Sequence, residues 1–233
     1  MSHNEKEAQF FNTIANRLGR SRMTTPPPQP VRGVPDFWKM YHLSSDERID
    51  LFIKNWEMLG GVAKRFSSPE ALCSYIAEVV QTFEAKRIIH EDHALFQSMH
   101  QDGSFNGVEM TIWRKQEESD LLSKAAHADI GISIADFAIA HTGTIVMTSS
   151  ASKGRSLSLL PTIFMAVIRT ENIKTRMGEA LQEINKWNNV KMPAGVHFIS
   201  GPSRSADIEN DLTIGVHGPG IVHALILEEE TKA

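Results

Sequence analysis

The chain of 233 residues is 41% hydrophobic, which is enough for one large domain or for a domain with an appendage. Its formal net charge of -4 and its pI near 6.2 provide no positive field. Nucleic acids and anionic membranes, which attract basic proteins, are therefore poor candidates as partners. The single cysteine, Cys73, excludes an internal disulfide and also an iron–sulfur cluster, which needs about four thiolates.

Targeting and membrane signals are missing from the sequence. No stretch approaches the roughly 20 apolar residues that span a bilayer. The start, "MSHNEKEAQF", lacks the basic-then-apolar order of a secretory signal. We therefore expect a cytoplasmic protein without an integral membrane segment.

The first 35 residues read as an appendage. "EKEAQFFNTIANRLGR" has apolar residues at helical spacing, and "TTPPPQPVRGVP" is a proline-rich linker that favours extended backbone. We divide the chain into a helix and linker over residues 1–35 and an α/β domain over residues 36–233. The apolar face of the helix, with Phe10, Phe11 and Ile14, is expected to dock on a neighbouring chain or on its own domain.

Two amphipathic helices follow the linker. "SSDERIDLFIKNWEMLGG" has the capping-box spacing from Ser44 to Glu47 and an apolar stripe that includes Trp56. "SSPEALCSYIAEVVQTFEA" has Ser68 as its cap and Pro69 in its first turn, and its apolar residues from Leu72 to Phe83 are expected to face inward.

The rest of the chain alternates strands with helices. "KRIIH", "EMTIW", residues 162–168, "VHFIS" and "IVHALILEE" read as strands, and "ENIKTRMGEALQEINKWN" reads as a helix with Ile173, Met177, Leu181, Ile184 and Trp187 on one stripe. This order predicts a three-layer α/β fold with a mostly parallel sheet covered by helices. Ligands of such folds meet loops at the carboxyl ends of the strands, where we expect residues 200–219.

Four glycine-containing loops, "AHTGTI", "SKGRSLS", "SGPSRSADIE" and "GVHGPG", are candidates for binding an anion. Glycine allows close approach of the backbone, and the loops also carry hydroxyl, guanidinium and imidazole groups suited to a carboxylate, phosphate or carbonyl compound. These groups belong to Thr142, Thr144, Arg155, Ser156, Ser158, Ser203, Arg204, Ser205 and His217. Each loop by itself is better explained by an ordinary tight turn, and only the four together favour a binding site.

Several candidate residues have a second interpretation. Asp207 and Glu209 fit the first turn of a short helix capped by Ser203 or Ser205, where the helix dipole favours negative charge. His217 fits a general acid or base, and it also fits a residue that only locks its loop. A metal site is not expected, because "HEDH" at residues 90–93 lacks the spacing of the helical zinc-protease motif. The sequence has no GxSxG, Walker or GxGxxG motif.

Four motifs in this order, "ADFAIAHTGTIVM", "GRSLSLLP", "ISGPSRSADIE" and "GVHGP", resemble the lactate-utilization protein C family with its LUD domain. The close resemblance runs from Asp129 to Glu228. It implies a fold akin to that of ribose-phosphate isomerases, glucosamine-phosphate isomerases and coenzyme A transferases. It also implies a role beside two iron–sulfur proteins in the oxidation of L-lactate to pyruvate, which allows growth on lactate.

The resemblance also implies a set of site residues. The carried-over positions are Thr142, Gly143, Arg155, Ser156, Ser158, Pro161, Gly201, Pro202, Ser203, Asp207, Glu209, Gly215, His217, Gly218 and Pro219. The family usually has a glutamate where this chain has His141. Because an imidazole cannot replace a nucleophilic carboxylate in coenzyme A transfer, that chemistry at position 141 is not expected.

Three hypotheses follow. In the first, the chain is a non-redox subunit without a cofactor of its own, it binds a small carboxylate or couples iron–sulfur partners, Arg155 contacts the anion and His217 carries the proton. In the second, it is an independent enzyme of acyl-transfer or sugar-phosphate type that uses the same pocket. In the third, the loops only pack and the chain is a scaffold.

Overall fold

The computed structural model describes residues 3–25, 42–114, 118–187, 192–206 and 212–228. The chain forms two units, Met1–His42 and Leu43–Ala233. The first contains helix α1, His3–Arg17, in which the rings of Phe10 and Phe11 meet edge to face with centroids 5.5 Å apart. Residues 26–41, with the prolines of the expected linker, lie outside the described residues.

Among its described residues, the second unit contains five further α-helices. Their bounds are Ser45–Met58 (α2), Pro69–Thr82 (α3), Glu118–His127 (α4), Ser156–Leu159 (α5) and Met177–Lys186 (α6). Both expected caps are confirmed: Ser44 and Glu47 form a capping box before α2, and Ser68 accepts a hydrogen bond from the amide of Ala71 before α3. Within the described part of the chain, no helix combines the length and the apolar character needed to cross a membrane.

In the part of the chain that the structure describes, the strands form a parallel six-stranded sheet, a four-stranded sheet and a two-stranded ribbon. Their bounds are Val62–Phe66 (β1), Arg87–Glu91 (β2), Glu109–Trp113 (β3), Ile130–Ile134 (β4), Phe137–Ile139 (β5), Thr144–Thr148 (β6), Ile163–Arg169 (β7), Ile173–Lys174 (β8), Val196–Ile199 (β9), Arg204–Ser205 (β10), Thr213–Ile214 (β11) and Ile221–Leu227 (β12). The order in the large sheet is β1-β12-β7-β4-β2-β3, and every pair in it is parallel. The expected α/β class with a mostly parallel sheet is confirmed.

Alternate residues of the parallel strands bury two different cores. Ile132 and Met165 pack with α3 on one face, whereas Phe164 and Ala166 on the other face pack with α2 and the small sheet. Because the central strands are buried on both faces, they read as continuous apolar runs instead of alternating ones.

The small sheet, in the order β8-β5-β6-β9, was not expected from the sequence. The apolar face predicted for the last helix was therefore partly wrong. Ile173 belongs to β8, and the buried residues of α6 are Ala180 and Ile184. Met177 and Leu181, which were expected to face inward, are 39% and 47% exposed. The expectation for Phe83 was also wrong, since it follows the end of α3 and is 47% exposed.

A buried histidine in β12 makes stability depend on pH. Burial, helped by the charge of Lys64, lowers the pKa of His223 to about 4 from 6.5, and its Nδ1 lies 3.1 Å from the hydroxyl of Tyr75. Because the folded state holds the neutral ring, stability is full above about pH 6.5 and is lost as the pH falls toward 4. We expect the free energy of unfolding to fall by about 2 kcal/mol between about pH 7 and about pH 5 on this account.

Urea unfolding of wild type and His223→Gln at both pH values measures this contribution, because His90, whose pKa burial also lowers, remains in both chains. An equal fall in both chains would contradict the assignment. Titration of the imidazole by NMR in the wild type gives a readout that does not depend on how the variant folds.

Candidate functional site

The connections of the large sheet create a crevice between β2 and β4. From β2 the chain continues to β3 at the edge of the sheet, whereas from β4 it reaches β7 on the opposite side. Neighbouring parallel strands whose connections diverge in this way leave an opening outside their carboxyl ends, where α/β proteins bind ligands. The search for a site therefore begins at Glu91, which ends β2, and Ile134, which ends β4.

Glu91 spans this crevice with its side chain. Its Oε2 accepts hydrogen bonds from the hydroxyl of Ser133 and from the amide of Ile134, both at 2.8 Å, and the residue is 8% exposed. Both hydrogen bonds are accepted by Oε2, and within the described residues no hydrogen bond to Oε1 is found. Oε1 is therefore the oxygen with which Glu91 can accept a hydrogen bond from a ligand.

A largely buried ion pair between Lys153 and Asp136 lies beside the end of β4. Nζ of Lys153 donates to Oδ2 of Asp136 at 2.9 Å and to the carbonyl of Ile134 at 3.1 Å. Oδ2 of Asp136 also accepts from the amide and the hydroxyl of Thr148, at 2.7 and 3.0 Å. The pair is thus neutral as a whole and held by four hydrogen bonds, and an ammonium with three donors keeps one for a ligand.

Glu91, Asp136 and Lys153 line a cavity of about 390 Å³, together with His93 and Arg169. Nδ1 of His93 accepts from the amide of Leu95 at 3.1 Å, so a neutral ring carries its proton on Nε2. The cavity walls hence offer a carboxylate acceptor beside cationic and neutral donors. Such a set suits a small molecule that carries both a carboxylate and a hydroxyl or carbonyl group.

A larger pocket of about 900 Å³ adjoins this cavity, and the two share Asp136 and Trp187. We call it the tryptophan pocket. Its other lining residues are Trp113, Leu121, Leu122, Thr148, Ser149, Ser150, Ala151, Gly154, Met192, Pro193 and Ala194.

Several of the site residues expected from the sequence meet elsewhere, around the end of α2. The hydroxyls of Thr142 and Ser200 both contact that of Thr144, at 2.7 and 2.8 Å. Gly143, at φ +55°, leaves no room for a Cβ beside the backbone of Asn55 and Trp56. The threonine hydroxyls of this group are thus hydrogen-bonded to one another and to Ser200, and Gly143 packs against the backbone of α2.

Gly201, Ser203 and Gly218 continue the same group. Gly201, at φ +83°, lies against the carbonyl of Leu59, and the amide of Ser203 donates to the carbonyl of Pro219 at 2.9 Å. A Cβ at Gly218 would lie 3.3 Å from the side chain of Ser203.

The expected position of residues 200–219 at the carboxyl ends of the large sheet was wrong. The segment follows β9 of the small sheet and leads into the amino end of β12. Since the small sheet could not be seen in the sequence, the strand before this segment was assigned to the wrong sheet. The crevice between β2 and β4 is therefore formed by other loops.

The other expected site residues lie at α5 and on the loop before β12, and the carbonyl oxygen of Leu159 in α5 would be 3.7 Å from a Cβ at Gly218. Arg155, which is exposed, and Ser156 stand at the start of α5, and the hydroxyl of buried Ser158 donates to the carbonyl of Arg155 at 3.1 Å. His217 is exposed on the loop before β12. Asp207 and Glu209 lie outside the described residues. Their roles in binding or catalysis stay predictions.

Sequence reasoning did not select Glu91, Asp136, Lys153 or Arg169. Glu91 and Asp136 could have been found, because "RIIHE" and "ISIAD" each place a carboxylate at the carboxyl end of an apolar strand or two residues beyond it. Lys153 and Arg169 can be recognised as candidates only after the crevice has been located in the structure. His90, in the "HEDH" stretch, lies 2.8 Å from His100 through the Nε2 atoms, and the described residues contain no group of three or more metal-ligating side chains.

Comparison with known proteins agrees with the sequence motifs. The LUD domain family model matches residues 49–227. The lactate utilization protein C of Halalkalibacterium halodurans is 32% identical over 97% of this chain and 99% of its own length. That of Bacillus subtilis is 31% identical over 92% and 93%. A crystal structure of a DUF162 family protein from Deinococcus radiodurans, 22% identical, shares the fold with a TM-score of 0.59 over 80% of this chain and 99% of that one. The chain therefore belongs to the lactate utilization protein C family of LUD domain proteins.

Proposed function

We propose that this protein is a non-redox subunit of an iron–sulfur-dependent system that oxidises L-lactate to pyruvate. The names of its relatives support a role in lactate utilization. The observation that carries the proposal is the cavity between β2 and β4, where Glu91 and Lys153 are held by the backbone of the same residue, Ile134.

The groups around this cavity match the functional groups of a 2-hydroxy acid. The ligand carboxylate lies toward Lys153 and Arg169, which supply charged donors, and the hydroxyl donates to Oε1 of Glu91. Nε2 of His93 supplies a further donor, which suits the carbonyl oxygen of a 2-oxo acid. The same cavity thus accommodates both the substrate and the product of lactate oxidation.

We assign the acceptance of electrons from lactate to other polypeptides. The chain has one cysteine, and burial raises the pKa of the Cys73 thiol, which disfavours the thiolate that a cluster requires. The proposed partners are two iron–sulfur proteins, as the family resemblance implies. This chain positions the carboxylate, and its partners remove the electrons.

Calorimetry and thermal unfolding with L-lactate, pyruvate and propionate test the binding. We expect L-lactate and pyruvate to release heat and raise the Tm, and propionate, which lacks a group at the second carbon, to bind about tenfold more weakly. Glu91→Gln is expected to weaken the binding of L-lactate by about tenfold. The affinity for pyruvate should change much less, because pyruvate has no hydroxyl to donate. Glu57→Gln, on the exposed side of α2, is the matched control.

Absence of heat and of a Tm shift with both acids would refute binding at this cavity. The partner assignment has its own test, in which the tagged full-length chain is purified from its host after growth on lactate. We expect two cluster-containing proteins in the complex, and bleaching of their visible absorbance on addition of L-lactate. Oxidation of L-lactate by the purified chain alone would instead favour an independent enzyme.

A further inference from the structure

The tryptophan pocket extends the cavity that we assign to the 2-hydroxy acid. Its volume is about 900 Å³, and it shares Asp136 and Trp187 with that cavity of about 390 Å³. A ligand seated in the cavity therefore lies beside a second space that can receive a large substituent. The methyl group of L-lactate is too small to fill this space.

The walls of the tryptophan pocket suit an uncharged, apolar group. Leu122 and Met192, both in its lining, are 62% and 46% exposed. Large apolar side chains that line a concave surface and remain exposed to water favour a ligand that covers them. Among the lining residues that the structure describes, none is cationic, and the carboxylate of Asp136 is already paired with Lys153. The carboxylate of a ligand therefore has its place in the cavity, and the tryptophan pocket receives the apolar part.

Two indole rings favour a flat aromatic group over a branched aliphatic one. The backbone of Gly154 lies directly on the indole of Trp113, so that a Cβ at this glycine would overlap the ring. Trp187 stacks on Phe137 with an interplanar angle of 17° and centroids 5.9 Å apart. Because Phe137 lines the cavity and Trp187 lines both spaces, this stacked pair forms an aromatic wall that runs from one to the other. Stacking on rings that are already held in place costs little conformational entropy.

We propose that the cavity and the tryptophan pocket form one site for a 2-hydroxy acid with an aromatic side chain, an inference that rests on the function proposed above. The carboxylate lies toward Lys153 and Arg169 and the hydroxyl toward Glu91, as for L-lactate. The ring extends past Asp136 into the tryptophan pocket and stacks on an indole. The hydroxy acid end orients the ligand, and the ring supplies additional affinity. Phenyllactate is the simplest member of this class.

Calorimetry of the full chain with L-lactate, L-phenyllactate and hydrocinnamate tests the proposal. We expect L-phenyllactate to bind at least about tenfold more tightly than L-lactate, because its ring is removed from water. Hydrocinnamate, which keeps the ring and the carboxylate but lacks the hydroxyl, should bind about tenfold more weakly than L-phenyllactate.

The outcomes separate this inference from the proposed function. Equal or weaker binding of L-phenyllactate, beside measurable binding of L-lactate, would overturn the joined site and leave the proposed function standing. Binding of L-phenyllactate without L-lactate would support the joined site and overturn lactate as its ligand. No binding of either acid would overturn both.

Two variants locate the ring. Ala151 is exposed and lines the tryptophan pocket, and it is absent from the described lining of the cavity, so Ala151→Glu adds bulk and negative charge beside the ring without removing packing. We expect it to weaken L-phenyllactate by at least about tenfold more than L-lactate. Met58→Glu, at a residue 74% exposed on α2, introduces the same side chain outside both spaces and should change neither affinity. An equal effect of Ala151→Glu on the two acids would place the ring elsewhere and overturn the inference.

Discussion

Replacing Gly143 by alanine is expected to lower the free energy of unfolding by about 3 kcal/mol. The residue has φ +55°, which disfavours any residue with a Cβ, and that Cβ would lie 2.7 Å from backbone atoms of Asn55 and Trp56. Backbone atoms of a helix cannot rotate away as a side chain can. In addition, the amide of the Asn55 side chain donates to the carbonyls of Ala140 and His141, at 2.7 and 3.1 Å, which holds this turn against α2.

Gly178→Ala is the matched control for this prediction. Gly178 lies in α6, a Cβ there would meet nothing within 4 Å, and alanine favours the helix, so we expect stability equal to wild type or higher by up to about 1 kcal/mol. Urea unfolding of both variants gives the comparison. If Gly143→Ala were as stable as wild type, a packing role for this motif would be contradicted, and a role of Gly143 in binding would become the better explanation.

Removing the charge of Lys153 is the second change with a large expected effect. Lys153→Met leaves the carboxylate of Asp136 without its cation, in a place where the two side chains are 10% and 22% exposed. Breaking one partner of a fully buried pair costs about 3 to 5 kcal/mol, and because Asp136 is partly exposed and lines two pockets, the cost here is about 1 to 3 kcal/mol. We expect a loss of that size in urea unfolding, and loss of the Tm increase caused by L-lactate.

The double variant Lys153→Met, Asp136→Asn separates stability from binding. Neutralising both partners removes the unpaired charge, so we expect the double variant to be more stable than Lys153→Met by about 1 to 2 kcal/mol. Binding of L-lactate should stay lost, because the donor is still missing. Additive costs of the two substitutions would contradict direct coupling, and retained lactate binding would remove Lys153 from the site.

Much of the fold follows from local patterns in the sequence. The capping box of Ser44 and Glu47 and the cap at Ser68 mark the starts of α2 and α3, because these contacts are made within one turn of backbone. The apolar runs of β7 and β12 indicate strands buried on both faces. The small sheet escaped prediction, since its short strands obtain their partners only from distant segments, and with it the position of residues 200–219.

The candidate site divides in the same way. The sequence by itself determined the α/β class, the starts of the long helices, the family motifs and the absence of thiolates for a cluster, because each depends on composition or on neighbouring residues. Only the tertiary structure placed Glu91, Asp136 and Lys153 around one opening, and it gave Gly143 and Gly201 packing roles beside α2. Strand order decides which loops meet at the edge of a sheet, and strand order is set by contacts between residues far apart in the chain.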